Sequence, residues 1–136
     1  MGSRKFAFTN ENPSGVYHVT LPAQSSVPAV AAAVTGTKVF EGLATKGFPA
    51  AKENLGFEGV TWMSKAKKFY TVQEMNPLNI YEISEDGATV TKKVDLMNAA
   101  VPKLMTAGAL TRGGDAEDEV FVIIKEPANY IHRIDL

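Results

Sequence analysis

Apolar and polar residues alternate along much of this chain, and a period of two is the pattern of a half-buried strand. Residues 6–8, 16–21, 68–72, 80–83, 90–96, 120–124 and 130–134 all carry it, and they are rich in β-branched and aromatic side chains. Turn chemistry lies between them at Asn12-Pro13-Ser14-Gly15, Asn76-Pro77, Glu85-Asp86-Gly87 and Gly113-Gly114-Asp115. Helical spacing is weak throughout. Its best stretch, 98–106, is one or two turns and contains Pro102. The pattern predicts an all-β chain.

The strands also repeat. Residues 5–19 lie over 69–83 without a gap, so that Asn12-Pro13 falls on Asn76-Pro77 and Val16-Tyr17 on Ile80-Tyr81. A third copy, 120–134, follows 51 residues after the second, with Pro127 shifted by one. The repeated unit is a hairpin, at about 5–21, 68–84 and 119–136: a buried strand, a proline-bearing turn and an amphipathic strand.

Repeats spaced by roughly 40–60 residues, each with about four short strands, are the signature of β-propeller blades. The middle copy reads as complete, with 57–62 innermost, then 68–72, 80–83 and 90–96. The last copy offers 105–111, 120–124 and 130–134. The first begins at its second strand and finishes at 37–43. One domain, 1–136, is therefore expected, holding about three four-stranded antiparallel blades, one whole and two incomplete. Known propellers close with ~4–8 blades, so the expected assembly is half of a six-bladed ring. Two chains would complete it as a homodimer, or the blades would be part of a longer propeller. A ten-stranded meander sandwich or barrel is the competing architecture.

Gly56-Phe57-Glu58-Gly59-Val60, the run from Phe69 to Glu74, Asn76-Pro77 and Ile80-Tyr81 together resemble the SdiA-regulated family of bacterial β-propellers. They also resemble the related esterase-like phytase propellers. The likeness is best over about 30 residues, 54–83, and weaker across the outer hairpins. It implies a six-bladed ring, a periplasmic or extracellular location, and calcium. The chain is about half the length a full ring requires, so a site shared by opposite blades is expected only where two chains meet.

Composition narrows the chemistry. The 136 residues carry 14 basic and 15 acidic side chains and no cysteine. Thiol catalysis, disulfides and cysteine-ligated metals are excluded, and the balanced charge argues against nucleic acid. The lysines at 65, 67 and 68 beside Trp62, Phe69 and Tyr70 read as a solvated turn guarding a strand edge. The pair Trp62-Met63 reads as core. The first residues have charges but no following apolar run, as a secretory signal would need. The apolar stretch 27–34 is too short to span a bilayer.

No nucleophile elbow, zinc-protease motif or phosphate loop occurs. Of the two histidines, His132 aligns with Tyr17 and Tyr81, a space-filling position. The carboxylates carry more. Glu41 and Glu58 each sit in a Phe-Glu-Gly step, and in the resemblance Glu58 heads an innermost strand lining the channel. With Glu74 and Glu126 they form the candidate calcium set, since calcium takes six to eight oxygens. The acidic run 115–119 lacks EF-hand spacing. The expected function is a non-enzymatic binding or interaction module, with calcium held in a channel formed on dimerisation and a small ligand or protein as partner. The alternative is a calcium-dependent phosphoester or ester hydrolase of the phytase-like type.

Overall fold

A computed structural model describes residues 4–21, 36–51, 55–74, 78–96, 107–113, 119–124 and 130–136. The expected helical stretch, most of the acidic run, the Asn76-Pro77 turn and Glu126 lie outside these residues. The described chain is β throughout, apart from a short 3-10 helix at Leu43–Lys46. Ten strands follow one another: β1 (Arg4–Asn10), β2 (Gly15–Leu21), β3 (Thr37–Glu41), β4 (Phe57–Met63), β5 (Lys68–Gln73), β6 (Asn79–Ser84), β7 (Val90–Asp95), β8 (Ala107–Gly113), β9 (Glu119–Ile124) and β10 (Tyr130–Asp135).

They form three antiparallel meanders, β1-β2-β3, β4-β5-β6-β7 and β8-β9-β10. One sheet has four strands and two have three, the blade count expected from the repeats. Local chemistry sets the turns. Between β6 and β7, the Asp86 carboxylate accepts from the Ser84 hydroxyl at 2.6 Å and the Ala88 amide at 2.9 Å, and Gly87 supplies φ +71°.

The sheets pack face to face, because each of two core clusters draws on neighbouring sheets. Val16 and Phe40 of the first sheet meet Phe57, Phe69, Tyr81 and Ile83 of the second, with Leu43 beside them. Tyr70, Val72 and Ile80 of the second meet Leu110, Val120, Val122 and Ile124 of the third. Strand β4 lies against both β1 and β8. Hydrophobic burial at both interfaces is the main stabilising term. Inside, the Tyr81 hydroxyl accepts from Asn79 and donates to Gln73, each at 3.1 Å, while Gln73 Nε2 and Asn79 Oδ1 are buried without a partner.

The rims are charged. On β7, Thr91, Lys92 and Lys93 are exposed, and Lys92 pairs with Asp95 at 3.3 Å. Lys38 pairs with Glu41 on β3 at 3.7 Å, and Arg133 of β10 with Glu119 of β9 at 3.3 Å.

Glu82 gathers a cluster of charge, accepting from Lys68 at 2.6 Å and the Tyr70 hydroxyl at 2.5 Å, with Lys93 at 3.5 Å. Burial alone would raise its pKa, but the hydrogen bonds from Lys68 and Tyr70 and the two ammonium charges outweigh burial and hold it below 4.5. A carboxylate depressed on folding contributes stability above its unfolded pKa and loses it as pH falls through the folded one. Glu82→Gln is therefore expected to flatten the fall in thermal midpoint on acidification below about pH 4.5. Parallel profiles for the two proteins would remove Glu82 from that fall.

Candidate functional site

The repeat becomes geometric in the strand registers. Across β5 and β6 the pairs are Phe69 with Ile83, Tyr70 with Glu82, Thr71 with Tyr81 and Val72 with Ile80. Across β1 and β2 the matching rungs are Phe6 with Val19, Ala7 with His18, Phe8 with Tyr17 and Thr9 with Val16. Across β9 and β10 they are Val120 with Ile134, Phe121 with Arg133, Val122 with His132 and Ile123 with Ile131. The third copy keeps the 51-residue offset on both strands. The first keeps 64 on β2 but 63 on β1. The gapless alignment therefore puts β1 one residue out of register, which turns every side chain to the other face.

With the rungs matched, each sheet has a leading face turned to the next sheet and a trailing face turned to the previous one. In the middle sheet both are covered. Val72 and Ile80 on its leading face are 0% exposed, as are Thr71, Tyr81 and Ile83 on its trailing face. The outer sheets repeat those positions without a cover among the described residues. On the trailing face of the first sheet, Phe6 and Phe8 are 47% and 44% exposed, and Phe8 stacks on Tyr17 at 5.5 Å. On the leading face of the third, Ile123 is 42% and Ile131 72% exposed. These four residues were not candidates from sequence; the repeat marks them once the rungs are aligned.

The Phe-Glu-Gly steps meet at their phenylalanines, Phe40 and Phe57, with ring centroids 6.3 Å apart. Their glycines serve different ends. Gly42 has φ +83°, while Gly59 lets β8 approach closely. Glu41 is engaged within its own sheet, accepting from the Tyr17 hydroxyl and pairing with Lys38. That hydrogen bond, with burial and the carboxylate charge, raises the Tyr17 pKa.

Glu58 lies where the β4–β5 register slips, between Phe57 and Gly59, as the extra residue of a bulge. The same slip recurs in β8 between Ala107 and Ala109, with Gly108 at the matching place. The innermost strands thus share a backbone device but only one brings a carboxylate to it. Glu74 follows β5, its amide donating to the Gly56 carbonyl at 2.8 Å. Glu58 and Glu74 both have partners. Among the described residues, no three acidic or histidine side chains gather as a metal site.

Lys65 and Lys67 sit on the exposed β4–β5 turn as expected, Lys67 with φ +52°, and Lys68 is committed to Glu82. His132 shares the face and rung of Tyr81. Met63 is fully buried, while Trp62 is only half-buried and lies against Phe69 at 4.6 Å. No described helix is long and apolar enough to cross a membrane.

The family described as SdiA-regulated matches the chain over residues 1–136. No curated protein and no solved structure shows a significant match.

Proposed function

Because this chain belongs to the SdiA-regulated family, we propose that it is a non-enzymatic β-propeller interaction module that completes its ring with a second copy of itself. The observation that supports this is the pair of unlike apolar faces at the two ends of the sheet stack. Each reproduces positions that are sealed inside the middle sheet. The leading face of one copy therefore suits the trailing face of the other, and two such contacts join six sheets, within the range of known rings.

Light scattering coupled to gel filtration tests the proposal. A mass near twice 14.6 kDa is expected. Phe8→Glu and Ile131→Glu, which place a charge on opposite faces, should each return it to the monomer value with an unchanged circular dichroism spectrum. A wild-type monomer at all concentrations, or a dimer indifferent to either change, overturns it.

Calcium belongs to the same assembly in this proposal. A single chain gathers no set of three ligands among its described residues, so carboxylates such as Glu58 would have to converge from both chains. A calcium-dependent rise in the thermal midpoint of the dimer, lost in Glu58→Gln, is the expected result. An unchanged midpoint removes the metal and leaves the ring.

A further inference from the structure

The two sheet–sheet interfaces are built on the same rungs, yet one rung is filled differently in the two. Between the second and third sheets, the rung Tyr70–Glu82 contributes a phenol and a carboxylate, hydrogen-bonded at 2.5 Å, with Lys68 on the carboxylate at 2.6 Å. Between the first and second sheets, the matching rung is Ala7–His18, and the residue matching Lys68 is Lys5. The first sheet thus keeps the ammonium but lacks both the phenol and the acid. A crevice of about 240 Å³ lies at that place, lined by Lys5, Phe6, Ala7, His18, Trp62, Phe69 and Glu85.

Its chemistry follows from what borders it. Trp62 and Phe69, a cross-strand pair of β4 and β5, form an aromatic wall. The small Ala7 side chain leaves the volume that Tyr70 occupies one interface later. His18 lines the crevice opposite that wall, in the place that Glu82 holds one interface later. Lys5 supplies a cation where its counterpart binds a carboxylate. Glu85 lies at the same crevice and is exposed, which sets the acid of a ligand toward Lys5 and away from the β6–β7 turn.

We propose that this crevice binds a compact aromatic carboxylate, its ring against Trp62 and Phe69 and its acid at Lys5. The ligand supplies from solution what Tyr70 and Glu82 supply covalently at the other interface. Convergent polar groups on an aromatic wall are the usual make-up of a small-molecule site, and a carboxylate gains a charge-assisted hydrogen bond from an ammonium donor. The site lies within one chain, so it does not depend on the ring.

The probe is 4-hydroxybenzoate, added to the full chain and followed by nitrogen–proton correlation spectroscopy. Trp62 is the only tryptophan, so one indole resonance reports on the crevice directly. The expected result is a saturable shift of that resonance, with phenol and cyclohexanecarboxylate each binding at least about tenfold more weakly. Ala7→Tyr fills the volume as Tyr70 does and should abolish the shift. Lys5→Glu leaves the volume open and should weaken 4-hydroxybenzoate by about tenfold or more, equivalent to roughly 1.4 kcal/mol. No shift at millimolar probe, or an equal shift in Lys5→Glu, overturns the proposal.

Discussion

Replacing Ile80 with alanine is expected to destabilise the chain by about 3 kcal/mol, and the same change at Ile131 by less than about 0.5 kcal/mol in the monomer. The two residues hold one position in the repeat, each on the leading face opposite the preceding strand of its hairpin. Their surroundings differ. Ile80 is sealed by Val120, Val122 and Ile124 of the next sheet, while Ile131 stands 72% exposed. Truncating the first leaves a cavity in a packed interface; truncating the second removes atoms already in water. Urea denaturation at micromolar chain concentration measures both. Equal losses would mean that the third sheet's leading face is covered in the monomer.

Gly59→Ala is the second large effect, because a side chain there has nowhere to go. A Cβ at this position would stand 2.7 Å from the Leu110 amide nitrogen and 3.2 Å from Ala109 Cα. These are backbone atoms of β8, which cannot rotate aside, so the innermost strands must separate. Overpacking of this kind costs about 3 kcal/mol. Gly113→Ala is the control. The three atoms nearest a Cβ there all belong to the Glu119 side chain, the closest at 2.6 Å; a side chain can swing aside where backbone cannot, and the expected loss is about 1 kcal/mol or less. Thermal midpoints of the two variants decide the matter. A comparable fall in both would show that β4 and β8 can part without cost.

Most of the architecture was legible because the strand pattern, the turn residues and the repeat agree. Hairpins 68–84 and 119–136 emerge in the expected register with the expected 51-residue offset. The first hairpin shows the limit. Its gapless alignment rests on Asn12-Pro13 matching Asn76-Pro77, yet β1 pairs one residue away from that alignment. Composition around the turn cannot reveal such a slip, because Phe6 and Phe8 are apolar on whichever face they lie. The faces themselves were therefore invisible until the rungs were known. Ala7 escaped notice, and His18 was weighed only as one of two histidines, for a related reason: an empty volume is defined by what a matching position contains, not by any motif. The Phe-Glu-Gly steps were conspicuous, but the carboxylates in them have unlike surroundings, and Glu41 is held by Tyr17 within its own sheet. Glu126 lies outside the described residues.

The charged rims bear on how such a chain meets its neighbours at high concentration. A strand edge with unpaired amides and carbonyls invites another strand to add alongside, the route to cross-β aggregation. On β7, exposed Lys92 and Lys93 make that approach electrostatically and sterically poor, since an added β7 would bring like charges together. On the end faces, among the described residues, Lys38 and Arg133 are each already paired with an acid of the same sheet. Crowding therefore favours stacking of sheets over growth along hydrogen bonds, and neutralising Lys92, whose pair with Asp95 lies on the surface, should open the fibrillar route before it alters the folded chain.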